Sequence, residues 1–169
     1  MQERADYADA VATKYPEQIV IAIARDSKGN HNPITLGWTM IVSGTPPMMA
    51  IAVGKPRWSM EAIRSAGEFV IAFPSEGQRD QTMLFGTKSG RDTAKLAESG
   101  AATIPAAEID SVLLADAVAN FECRLAGEME AGDHIIFVGE VVASHRNPDR
   151  PNRLYTVGPG YKMAGLPRQ

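Results

Sequence analysis

The chain has 169 residues, 44% of them hydrophobic, and 17 Lys plus Arg against 20 Asp plus Glu leave a formal net charge of −3. That length suits one domain with a substantial core, and a single domain over 1–169 is expected. No block of like charges offers a nucleic-acid surface. No apolar run approaches the roughly 20 residues of a membrane span, and the start Met1-Gln2-Glu3-Arg4-Ala5-Asp6 lacks the apolar stretch of a signal peptide, so a soluble cytoplasmic protein is expected. Cys123 is the only cysteine, which excludes an internal disulfide, a dithiol redox pair and a cysteine-based metal site. Redox chemistry in this chain needs a cofactor.

In chain order, Ala5 to Tyr15 reads as a terminal helix. Ile19 to Ala24 is a short β-branched run closed by the turn signal Asp26-Ser27-Lys28-Gly29-Asn30, which predicts a buried strand. Ile34 to Ser43 and Met48 to Val53 predict two further strands. The Gly44-Thr45-Pro46-Pro47 stretch between them makes a hairpin, because prolines do not fit a central ladder. Trp58 to Ala66 has helical pattern and stops at Gly67, and Glu68 to Phe73 is again strand-like, so a crossover helix joins two strands. Ser89 with Asp92 three residues later resembles a capping box and predicts a helix over Gly90 to Glu98 that ends at Gly100. Val118 to Glu128 and His134 to His145 form a long hairpin around Ala131-Gly132-Asp133, and Leu154 to Val157 adds an edge strand. Antiparallel strands with few short helices favour a closed or partly closed barrel over a doubly wound sheet.

Two segments carry chemistry. Gly54-Lys55-Pro56-Arg57-Trp58-Ser59 places two cations and a hydroxyl before a helix whose first N–H groups have no intrahelical partner, an arrangement suited to phosphate. Phe85-Gly86-Thr87-Lys88-Ser89-Gly90-Arg91-Asp92 with Lys95 is a second glycine-rich, basic segment. Together they suggest one phosphorylated cofactor. His31 and His145 have no metal-ligand spacing and read as loop or strand-end residues. No metal site is expected, and the eight methionines read as core and interface filler.

The order of these motifs resembles the flavin reductase-like family of FMN-binding split barrels, in particular its flavoredoxin and ferric reductase-like branch. The matching segments are Asn32 through Thr39 with Trp38, the Pro46-Pro47 hairpin, Gly54 through Ser59, Gly67-Glu68-Phe69-Val70, Gly86 through Lys95, and Gly132-Asp133-His134 before Val138-Gly139-Glu140-Val141. The resemblance covers about residues 30 to 145. It implies a mainly β fold, a six-stranded antiparallel Greek-key split barrel with a few flanking helices. It also implies a homodimer with FMN near the subunit interface.

It further places Thr35, Leu36, Gly37, Trp38, Thr39 and Met40 along the flavin, with backbone amides and the Thr39 hydroxyl toward the polar ring edge. An isoalloxazine needs an apolar face and donors where electron density gathers on reduction. Lys55, Arg57, Ser59 and Lys95 fall at the phosphate by the same resemblance, with Asn32, Ser89 and Gly90 close to that end and Val53, Gly54 and Gly86 beside them. His134 is placed near the nicotinamide, and Tyr161 of the Gly158-Pro159-Gly160-Tyr161 tail near the flavin. Trp58 departs from the family pattern by its bulk.

Plainer readings stand beside these. Arg57 and Ser59 alone are an exposed arginine and a helix cap, Lys95 a solvated lysine, Trp38 core, and Gly132-Asp133-His134 a hairpin turn. The function implied is an NAD(P)H-dependent flavin reductase passing electrons to oxygen, ferric chelates, free flavin for a monooxygenase, or a redox protein. The alternatives are an FMN electron carrier without a productive nicotinamide site and a flavin-free dimeric scaffold.

Overall fold

The computed structural model describes residues 1–167. Helix α1 (Tyr7–Val11), prolonged by a 3-10 turn over Ala12–Lys14, leads into strand β1 (Glu17–Gln18). The β-branched run gives β2 (Val20–Arg25), and the following loop returns as β3 (His31–Leu36). Asp26 fixes that loop by accepting the backbone N–H groups of Lys28 and Asn30 at 2.9 and 2.8 Å. Then come β4 (Thr39–Gly44), β5 (Pro47–Gly54), α2 (Trp58–Ala66) and β6 (Glu68–Phe73). Helix α2 stops at Gly67, whose φ of 68° is the left-handed conformation that glycine adopts without steric cost. Helices α3 (Arg79–Thr87) and α4 (Lys95–Ser99) follow, then the short pair β7 (Thr103–Pro105) and β8 (Val112–Leu114), the long hairpin β9 (Ala119–Ala131) and β10 (His134–Arg146), and finally β11 (Arg153–Gly158) and β12 (Lys162–Leu166).

The large sheet is antiparallel throughout, with the order β3-β2-β6-β9-β10-β5-β4. Its two end strands are consecutive in the chain. The stretch expected as one strand, Ile34 to Ser43, is broken at Gly37-Trp38, so that β3 pairs with β2 while β4 pairs with β5. The break is itself tied down, since the Ala52 N–H donates to the Trp38 carbonyl at 2.9 Å. β3 also packs against β5. The sheet therefore rolls up, with one bent run of chain joining its two ends; counted as a single bent strand, β3 and β4 give six strands, as the split barrel requires.

Three other expectations change. The helix foreseen over Gly90 to Glu98 begins only at Lys95, because Ser89 organises a turn instead: its carbonyl accepts from Asp92 and Thr93, and its hydroxyl from the Arg91 N–H. The helix end at Gly100 stands. Leu154 to Val157 lies in the middle strand, not an edge, of a second sheet ordered β1-β11-β12. Helix α3 was not foreseen, although Ser75 and Gln78 have capping-box spacing before it and the Ser75 N–H donates to the Gln78 side chain at 3.1 Å.

Strand β2 is buried on both faces, which explains its unbroken apolar run. Val20, Ala22 and Ala24 face the barrel interior with Ile51, Val53, Phe69 and Phe137. Ile21 and Ile23 face a second core beneath α3 and the β7–β8 segment, with Val70, Phe85, Leu113 and Leu114. The barrel interior also holds Cys123, whose thiol is pushed up to about 12 by burial and by the neighbouring Glu122 charge. It carries no thiolate near neutral pH. No helix among the described residues is long and apolar enough to cross a membrane.

Candidate functional site

A cavity of about 1050 Å³ opens where the Gly37-Trp38 break, the β5–α2 turn, helix α3 with the turn after it, and the β11–β12 hairpin meet. Two of its walls follow from the fold: the Gly37-Trp38 break between β3 and β4, and α3 packed onto β3. Gly86 permits that packing, since a Cβ there would stand 3.3 Å from the Thr35 side chain. Thr35 lines the cavity, but its hydroxyl already donates to the Thr82 carbonyl at 2.6 Å.

One end of the cavity is basic. Arg57, Ser59, Ser89, Gly90 and Lys95 line it. Asn32 lies behind them, buried, and donates through Nδ2 to Ser59 Oγ at 2.7 Å, which leaves the serine proton free to point at a ligand. Asn32 Oδ1 is buried without a partner and lies against Gly90, where a Cβ would come within 2.0 Å of it. Lys95 is only 3% exposed. Its ammonium donates to the Phe85 carbonyl at 3.3 Å, and no carboxylate pairs with it among the described residues. Burial, and then the charge of Arg57, bring its pKa down to about 8. A buried cation with a second cation beside it is unfavourable unless an anion arrives to offset both.

The other end is aromatic and apolar. Leu36, Gly37 and Trp38 line it together with Gly54 and His134. The Trp38 and His134 rings lie 4.5 Å apart at 39°. His134 Nδ1 is 2.7 Å from Asp133 Oδ1, and that contact holds the Asp133 carboxyl below its usual range. Tyr161, exposed and with φ of 58°, stands at the mouth.

Residues 12–163 match the flavin reductase like domain. The chain belongs to the flavin reductase-like family. It is 31% identical over 120 residues to the NADH-dependent FAD reductase of Streptomyces globisporus, covering 69% of this chain and 64% of the relative. It is equally 31% identical over 112 residues to the NADH-dependent FMN reductase AsuE2 of Streptomyces nodosus subsp. asukaensis, covering 66% and 60%. Three archaeal relatives are spanned over 77%, 64% and 50% of their lengths. In fold, the flavoredoxin of Methanosarcina acetivorans superposes with a TM-score of 0.85 at 23% identity, covering 100% of this chain and 93% of that one.

This flavin reductase-like cavity fits a phosphorylated flavin by its own chemistry. Lys95 has no counter-charge among the described residues, Ser59 has a free proton, and the Gly90 cradle leaves no room for a Cβ. Not every residue picked from the sequence reaches it. Lys55 pairs with Glu130 on the surface, outside the cavity lining, so the cations that converge there are Arg57 and Lys95. Val53 is fully buried in the barrel interior. Thr39 and Met40 lie beyond the strand break in a shallower adjoining groove, and the Thr39 hydroxyl donates to the Ala50 carbonyl at 2.9 Å. Sequence reasoning passed over Glu17, paired with Lys14 at 2.7 Å, whose carboxylate abuts Gly37. Nothing in the local sequence signals it, because β1 reaches the cavity only through the second sheet.

Proposed function

We propose that this protein binds FMN in the cavity, phosphate at the Lys95 end and ring along Leu36 to Trp38, and works as an NAD(P)H-dependent flavin reductase. The buried Lys95 beside Arg57, without a carboxylate partner among the described residues, is the observation that carries the reading. When bound, FMN would supply the hydride- and electron-transfer chemistry. Lys95, Arg57 and Ser59 would hold the phosphate by charge-assisted hydrogen bonds. The Gly37-Trp38 backbone would run along the ring edge with the Glu17 carboxylate beside it, and His134, braced by Asp133 and Trp38, would orient the nicotinamide. The electron acceptor is a small oxidant, free flavin or a redox protein.

The same reading proposes a homodimer. Met40, Ile41 and Val42 of β4 are 55%, 76% and 40% exposed and adjoin Trp38 at the cavity, an apolar face suited to a second copy. Twice the monomer mass in sedimentation equilibrium is the expected result.

The test is an anaerobic absorbance titration of FMN-loaded protein with NADH and then NADPH. Rapid bleaching of the oxidised flavin band supports the reductase. Stoichiometric FMN binding without bleaching leaves an electron carrier, and no FMN binding overturns the reading.

Two variants refine it. Gly90→Ala would drive Asn32 away from Ser59 and should weaken FMN binding by at least about tenfold in calorimetry, the loss of one charge-assisted bond. His134→Ala should slow flavin reduction in stopped flow by roughly tenfold or more while FMN affinity stays within about twofold, as expected for a residue that positions only the donor. Equal reduction rates would return His134 to its turn.

A further inference from the structure

The cavity contains more positive charge and more aromatic surface than one FMN phosphate uses. In the reading above, Lys95, Arg57 and Ser59 suffice for that phosphate. Beyond them Lys88, Arg91 and Trp58 also line the cavity, and neither Lys88 nor Arg91 has a carboxylate partner among the described residues. The Trp58 indole is fixed at its edge: Nε1–H donates to Asp26 Oδ2 at 3.4 Å, and Cδ1 abuts Gly90. Its ring attracts cations. The Arg91 guanidinium stands 5.5 Å from the centroid and the Lys28 ammonium 5.6 Å. Both are exposed side chains, able to move aside for a flat ring or to close over it.

We propose that Trp58, Arg91 and Lys88 form a subsite for the adenosine diphosphate arm of a dinucleotide. It rests on the flavin reading of the main cavity and extends it. The purine stacks on Trp58, with the Arg91 guanidinium available as the opposing plane. A phosphate of the arm takes Lys88, which has no carboxylate partner among the described residues. At about 1050 Å³ the cavity is at the upper end of ordinary ligand pockets, roomy enough for more than a mononucleotide.

The arm has two sources with the same chemistry, the adenylate half of FAD or that of the nicotinamide donor, and calorimetry separates them. Ligand-free protein is titrated with FMN and with FAD, and FMN-loaded protein with NAD⁺, for wild type, Trp58→Ala, Trp58→Phe and Arg91→Ala. Trp58→Ala and Arg91→Ala should each weaken one dinucleotide by about tenfold or more, the usual effect of removing a stacking partner, and leave FMN within about twofold. Trp58→Phe should retain most of the affinity. Weakened FAD places the flavin's own adenylate in the subsite, and weakened NAD⁺ places the donor's there. Unchanged affinity for both dinucleotides overturns the proposal, as does an equal loss of FMN, which would make Trp58 part of the phosphate pocket. Failure of wild type to bind FMN or FAD would instead sink the flavin reading, and this subsite with it.

Discussion

Replacing Arg57 with Ala and Lys95 with Met together should lower FMN affinity by about a hundredfold to ten-thousandfold, while making the ligand-free protein more stable. The two effects have one cause. Each hydrogen bond to a charged group contributes about 1.5–3 kcal/mol, so losing two from one phosphate gives that range. In the absence of ligand, however, Lys95 is a cation held out of water beside Arg57 with no counter-charge among the described residues. Substituting an unbranched apolar side chain of similar length removes that penalty, on the order of 2–3 kcal/mol. Calorimetry with FMN and urea unfolding of the ligand-free protein measure the pair. Unaltered FMN affinity would rule out the phosphate assignment.

The same lysine sets a pH dependence whose sign is fixed. In the folded, ligand-free protein Lys95 loses its proton near pH 8, whereas the unfolded chain keeps it to the ordinary lysine value of 10.5. Between those values the unfolded state binds more protons, so this group's contribution makes stability rise with pH across that window. FMN affinity runs the other way. Above about pH 8 the protein must take up a proton to meet the phosphate, and binding weakens as pH rises. Lys95→Met should flatten both slopes.

How much of this was legible in the sequence depended on whether the signal was local. β2, β6 and the β9–β10 hairpin are written in β-branched runs and a glycine turn, and α2 in a pattern that ends at Gly67; all stand close to where they were expected. The break at Gly37-Trp38 was missed because the residues on either side are equally strand-like. What separates them is the closure of the barrel, which no local window contains. Thr39 and Met40, placed along the flavin by the resemblance, lie past that break in the adjoining groove. The pairing of Lys55 was not local either: the Glu130 it meets is 75 residues distant. The convergence of Arg57, Ser59 and Lys95 was legible only through the order of motifs, and the burial of Lys95 was not legible at all. A lysine on a short helix reads as solvated until α3 and β3 are known to enclose it.

Glu122→Ala should be the most destabilising single change away from the cavity, costing about 3–5 kcal/mol in urea unfolding. Glu122 is fully buried in β9. Its carboxylate accepts the N–H groups of Ala107 and Glu108 at 2.8 and 2.7 Å and contacts His145 Nε2 at 2.6 Å. Burial alone would raise its pKa, but the two N–H donors and His145 outweigh it and hold the carboxyl below the ordinary 4.5. Removing it leaves two N–H groups without their acceptor. Glu122→Gln should recover only part of the loss, because its NH₂ must face a donor. A depressed carboxyl contributes stability that is present above the unfolded pKa and lost as pH falls through the folded one. Wild type and Glu122→Gln should therefore converge in stability once pH falls below the depressed folded value of Glu122, and a gap that persists there would show that packing, not charge, dominates. The consequence reaches the cavity. Glu122 pins the segment that leads from β7 into β8, and Ile109 of that segment with Leu113 and Leu114 of β8 shares a core with Phe85 of α3 and Leu96 of α4. Those helices carry Gly86 and Lys95, so loosening the pin should also weaken FMN binding, with faster hydrogen exchange at Ala107 and Glu108 as the local sign.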